Sequence, residues 1–133
     1  MASARPRFVE EPSRDFNEWH REELPEDARM MDCDLVYYDE DGVYLVGEVI
    51  HIRRGTLEDA DTEKYAVWSH KRRVLEDLSV RLGVPAIVVW ATEEDDEVVV
   101  RNLRTEKVQR VDADGYAELL QLFRDRFGGG RRG

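Results

Sequence analysis

Cysteine is almost absent: Cys33 is the single one among 133 residues. That excludes an intramolecular disulfide and a multi-cysteine zinc site, and Cys33 reads as a small buried hydrophobe in a strand. The three histidines, His20, His51 and His70, are scattered without metal-ligand spacing. No apolar run approaches the roughly 20 residues of a bilayer span. The first residues, "MASARPRFVEEPSRDF", lack the apolar centre of a signal peptide. A cytoplasmic location without a membrane partner is therefore expected. Positive charge is also scarce, with 20 Lys and Arg against 30 Asp and Glu, a formal net charge of −10, and three lysines in all. Loose, charge-driven binding of nucleic acid needs a basic footprint, so the acidity argues against that mode and leaves open binding through a metal ion and a few local arginines. No glycine-rich phosphate loop is present, because "GGG" falls in the tail with no helix after it. No Ser/His/Asp spacing stands out.

What the chain does carry is a regular succession of elements. Residues 1–12 hold two prolines and little pattern, and read as a flexible arm. Ser13 fits a helix N-cap before "RDFNEWHREEL", where Phe16, Trp19, His20 and Leu24 recur at helical spacing until Pro25. Strands are predicted at 31–38 and 43–52, joined through Asp41-Gly42, a strong hairpin dipeptide. Both look apolar on both faces, as in the buried middle of a sheet. After the polar "RRGTLEDA", a long helix is predicted over 61–82, stopped by Gly83 and Pro85. "PAIVVWA" (85–91) reads as a further buried strand, "EVVVRNLRTEKVQRV" as a second hairpin and "ADGYAELLQLFRDRF" as a closing amphipathic helix. The tail 128–133 reads as disordered. The length fits one domain over 13–127. A buried strand after a long helix implies a crossover onto the first hairpin. The expected fold class is α/β, a central mixed β-sheet flanked by helices, with a C-terminal hairpin and helix added to a helix-hairpin-helix-strand core.

Two carboxylates interrupt the first hairpin: Asp34 near the start of one strand and Glu48 near the end of the next. Unpaired charge in a strand interior costs several kcal/mol or more. Adjacent antiparallel strands can bring the two to one end of the sheet, where repulsion is relieved by a shared proton or a cation. An all-oxygen set suits Mg²⁺ or Mn²⁺, with the Val49 carbonyl as a further ligand. Such an ion fits phosphodiester hydrolysis. The alternative is strand-end carboxylates bonded to arginine or backbone amides.

"CDLVYYDEDGVYLVGEVIHIRR" resembles the core of the PD-(D/E)XK nuclease superfamily, the restriction-endonuclease-like fold, nearest to its archaeal Holliday-junction-resolvase type. The resemblance covers roughly residues 13–91, with Asp34 on the Asp position and Glu48 on the acid position. It implies a metal-dependent nuclease acting on branched or duplex DNA, commonly as a homodimer. Cys33 stands where that family often has Pro, and Ile50 stands where it has the catalytic lysine. Isoleucine cannot position or deprotonate water, and His51 points to the opposite sheet face by period 2. Some members recruit the lysine from a neighbouring element, often the following helix. The helical stripe 64, 68, 71, 75, 78, 82 reads Lys, Trp, Lys, Leu, Leu, Leu. Lys64 is the candidate catalytic lysine, with Lys71 behind it. The competing reading has both stems snorkel along the rim of the core.

Other candidates carry paired readings. Asp32 is a further metal ligand or a solvated strand start. Glu18, Glu22 and Glu23 complete a metal shell or form a solvated helix face. Arg53, Arg54, Lys71, Arg72 and Arg73 form a phosphate-binding rim, opposed by Glu58, Asp59, Asp61 and Glu63. Trp19, Trp68 and Trp90 sit in apolar patterns that favour core over base stacking. Three functions follow: a metal-dependent nuclease or nuclease-derived DNA-processing protein using Asp34, Glu48 and Lys64; an inactive nuclease-like module binding a protein or nucleic acid; or an acidic interaction domain with structural carboxylates.

Overall fold

The structure, a computed structural model, describes residues 31–128. The arm 1–12, the helix expected from Ser13, with Glu18, Glu22 and Glu23, and residues 129–133 lie outside the described residues.

Five strands form one mixed sheet in sequence order: β1 (Leu35–Asp39), β2 (Gly42–His51), β3 (Ala86–Ala91), β4 (Val98–Asn102) and β5 (Val108–Val111). β1 pairs antiparallel with β2, β2 parallel with β3, and β3, β4 and β5 pair antiparallel. The parallel pair requires a crossover, which residues 52–85 supply through helix α1 (Ser69–Leu82). A second helix, α2 (Ala113–Phe127), closes the described chain.

The sheet is lined by helices on both faces. Beneath α1 lie Val46, Ala86, Val88 and Trp90 with Leu75 of the helix, together with Ile52, Leu57, Val99 and Leu103. On the other face Leu45, Ile87, Val89 and Val100 meet Phe123 of α2, with Tyr116, Leu119, Leu120 and Phe127 packed around it. The Tyr37 and Tyr116 hydroxyls, 3.1 Å apart, tie β1 to α2. The two faces take alternate residues of β2 and β3, as the pleat dictates, except at one point. Register shifts between Tyr37↔Leu45 and Tyr38↔Val43, so Tyr44 is the extra residue of a β-bulge. Tyr44 and Leu45 consequently pack on the same face.

Two expectations are corrected. β1 is an edge strand, not a buried middle one: Val36 and Tyr38 are 48% and 74% exposed, and β2 and β3 carry the core. The long helix over 61–82 is shorter, beginning at Ser69. The residues ahead of it form two single 3₁₀ turns, Leu57–Asp59 and Glu63–Tyr65. The first of these turns is closed by its own capping box, in which Asp59 Oδ2 accepts from Thr56 N and Thr56 Oγ1 from Glu58 N. Tyr65 is then fixed by tertiary bonds, its carbonyl accepting from Trp90 Nε1 at 2.8 Å and its hydroxyl donating to the Arg54 carbonyl at 2.9 Å. The helix stops where expected, on Gly83 in the left-handed conformation (φ 69°), whose N–H returns to the Ser79 carbonyl.

At Gly47 β2 leaves no room for a side chain against β3. A Cβ there would lie 2.6 Å from the Ile87 carbonyl oxygen and 2.9 Å from Ile87 Cγ1. Gly47→Ala is expected to cost about 1–3 kcal/mol through overpacking, read as a lower urea midpoint with unchanged slope. An unaltered midpoint would show that the two strands have room to part.

Candidate active site

Asp34 and Glu48 meet because of register. The β1–β2 ladder pairs Leu35 with Gly47, and one step outward sets Asp34 opposite Glu48. The Val49 N–H donates to Asp34 Oδ2 at 3.1 Å and holds that carboxylate against the strand. Cys33, half-buried just ahead of β1, directs its thiol to the Leu35 and Gly47 carbonyls at 3.4 and 3.5 Å. It is a positioned polar contact beside the site and not a residue of the strand.

The two carboxyls occupy different environments. Asp34 is exposed. Glu48 is 5% exposed, on the sheet face covered by α1. Its Oε1 accepts from Lys71 Nζ at 2.7 Å, while its Oε2 is buried without a hydrogen-bond donor. Burial pushes the Glu48 carboxyl above the usual carboxylate range, the neighbouring Asp34 adds to this, and Lys71 opposes it. Asp34 moves the other way, held down by its hydrogen bond with Glu48 and by the Val49 amide and Lys71, against its own desolvation. Two adjoining carboxyls displaced in opposite directions are a repelling pair, and such repulsion is relieved by a shared proton or by a cation between them.

The lysine on the pair is Lys71 of α1, and Lys64 lies elsewhere. Lys64 precedes the helix in the second 3₁₀ turn, is exposed, and stands 5.4 Å from the Tyr65 ring centroid. The early start of the predicted helix had placed both lysines on one stripe, and loss of its first turns leaves only Lys71 on the helix. Ile50 shares the face of Glu48 and packs against the core under α1. Asp32 is exposed, and among the described residues no third His, Cys, Asp or Glu forms a metal-holding group with the pair.

An ion-pair network unforeseen in the sequence anchors the first turn of α1. Asp61 (φ 63°) and Glu106 (φ 65°) are the non-glycine residues in the left-handed region among the described residues. Both place carboxylates on Arg101, whose Nε donates to Glu106 Oε2 at 2.8 Å. Glu106 also takes the guanidinium of Arg72, the residue after Lys71. Such backbone is disfavoured for residues with a Cβ, and here each of the two places its carboxylate on Arg101, the Asp61 pair part-buried and the Glu106 pair exposed. The crossover, the β4–β5 turn and the start of α1 are thereby joined. Arg72, expected on phosphate, is committed to Glu106 and, at 3.8 Å, to Glu76. Arg53, Arg54 and Arg73 are exposed.

Comparison with protein-family models, curated proteins and solved structures finds no match. The chemistry of the site is therefore argued from its own geometry.

The shifted pair has a pH signature. Glu48, raised in the folded chain above its ordinary 4.5, contributes stability that is present below that value and lost as pH rises through the folded pKa. Asp34, depressed below 3.8, contributes stability present above that value and lost as pH falls through its folded pKa. With metal chelated, wild-type stability relative to Glu48→Gln is expected to fall as pH rises from about 4.5, read from urea midpoints across a pH series. A difference that grows with pH in that window would contradict a raised Glu48.

Proposed function

We propose that this chain is a metal-dependent phosphodiesterase acting on DNA, a nuclease of the PD-(D/E)XK type whose lysine comes from α1 as Lys71. One observation carries the reading: Glu48 is buried with one oxygen on Lys71 and the other without a donor, beside a second carboxylate. Desolvating a carboxylate costs several kcal/mol, so its second oxygen calls for a proton or a cation. The unmet oxygen fits a cation. Asp34, Glu48 and the Val49 carbonyl would hold Mg²⁺ or Mn²⁺, with water and a substrate phosphate completing the shell. When bound, such an ion activates water and offsets charge on the transferring phosphate.

The remaining work falls to the chain. Lys71 Nζ has three N–H donors, one of them on Glu48 Oε1. The other two are available to an attacking water or a non-bridging phosphate oxygen. Glu48 fixes where that ammonium sits. Ile50, packed on the core beside it, gives the site an apolar wall and leaves the lysine's role to the helix. The exposed Arg53 and Arg54, just past β2, supply phosphate contacts that position a strand without reading its sequence.

Cleavage of duplex, single-stranded and branched DNA with Mg²⁺ or Mn²⁺ tests this. Wild type is expected to cleave, Glu48→Gln and Asp34→Asn to be inactive, and Lys71→Met to lose about 10²–10⁴ in rate. Lys64→Met is expected to retain the wild-type rate. Full activity in Lys71→Met would remove that lysine from the chemistry. No cleavage of any substrate would favour the inactive module, in which Lys71 merely neutralises Glu48.

A further inference from the structure

Trp68 breaks two local rules at once. It is 71% exposed, although burying a large apolar side chain is worth about 1.5–3 kcal/mol. It also occupies the N-cap of α1, where Ser, Thr, Asp or Asn would satisfy an amide, and it makes no side-chain cap. Departures from local preference that gain nothing in stability concentrate at functional positions. The expectation that Trp68 belongs to the core is overturned, while Trp90 is buried at 0% exposure and Trp19 lies outside the described residues.

The surroundings state what the ring is for. Trp68 lies one helical turn ahead of Lys71, whose ammonium is on Glu48. The exposed His70 ring stands 5.7 Å from it, tilted by 46°. The segment is held rather than loose, since Tyr65, three residues earlier, is bonded through its carbonyl to Trp90 and through its hydroxyl to Arg54. Charge is locally inverted as well. Residues 51–73 carry six Arg and Lys against four Asp and Glu, in a chain whose net charge is −10. Two of those acids are already engaged, Asp59 in a capping box and Asp61 on Arg101.

We propose that Trp68, with the His70 ring beside it and the exposed Arg53, Arg54 and Arg73 in the same stretch of chain, is a stacking platform for an unpaired nucleobase of a DNA strand entering the Asp34–Glu48–Lys71 site. This deepens the nuclease reading and rests on it. A ring presents its face to a base only where that face is free, at single strands, ends or branch points, and the arginines meet the adjoining phosphates. The site then favours substrates with unpaired bases over continuous duplex.

The test is binding of a labelled thymidine oligomer, and of a blunt duplex of the same length, to Glu48→Gln protein at low salt. That background removes cleavage. The oligomer is expected to bind more tightly than the duplex and to quench tryptophan emission. Adding Trp68→Ala is expected to weaken oligomer binding about 5- to 100-fold, while Trp68→Phe retains most of it and duplex binding is unchanged. Equal oligomer binding with and without Trp68, or none at all, overturns the platform. Wild-type cleavage measured alongside separates the two readings. Metal-dependent cleavage indifferent to Trp68→Ala overturns the platform and leaves the nuclease. Trp68-dependent strand binding without cleavage in any metal overturns the nuclease and leaves the platform.

Discussion

One extra residue in β2 decides where the two carboxylates stand. Near the turn the ladder pairs Tyr38 with Val43; beyond Tyr44 it pairs Tyr37 with Leu45 and Leu35 with Gly47. Without that insertion, the pairing carried on from the turn would set Asp34 opposite Gly47 and Glu48 opposite Cys33. A slip of one residue also exchanges the faces of a strand. The bulge thus aligns Asp34 with Glu48 and, by the same shift, gives Val46, Glu48 and Ile50 the face that α1 covers. Everything argued for the site depends on that alignment, including the reach of Lys71. Bulges commonly sit beside functional sites for this reason, because they re-aim side chains.

The hairpin, the crossover order and the closing helix were legible because apolar runs on either side of Asp41-Gly42, the Gly83 and Pro85 stop and an amphipathic period encode them locally. The mixed α/β sheet follows from that order. The start of α1 was not legible. "LEDADTEKYAVW" contains no proline and only modest helix breakers, and what prevents the helix is largely tertiary. Trp90, twenty-five residues further on, takes the Tyr65 carbonyl, and Arg101 takes Asp61, forty residues away. Asp34 and Glu48 could be named from the sequence because charge in a strand is anomalous. Choosing between Lys64 and Lys71 required the helix start, which the sequence hides. The exposure of Trp68 was hidden for the same reason: its stripe looks apolar until the helix is seen to begin beside it.

Stability and function pull on Glu48 in opposite directions. A hydrophobic residue at this place would remove a buried charge, and well-packed apolar replacements of buried ion pairs are often neutral or stabilising. The molecule instead keeps a carboxylate beneath a helix, with one oxygen on Lys71 and the other unmet. The Asp61–Arg101–Glu106–Arg72 network includes two left-handed residues and ties down the helix that delivers the lysine. Cost in the fold is concentrated at the place where chemistry is proposed.

The acids ride on the sheet and the ammonium on the helix, so the site is an inter-layer object. It exists only in molecules whose α1 has its first turn formed and docked. That turn has no side-chain cap and is held by the tie of Arg72 to Glu106, while helix ends in general open locally more readily than the whole fold. When it frays, Lys71 withdraws and the two carboxyls are left to each other. The competent fraction is therefore bounded by a local helix–coil equilibrium, and two variants of identical melting temperature can differ in how much of the population holds an assembled site.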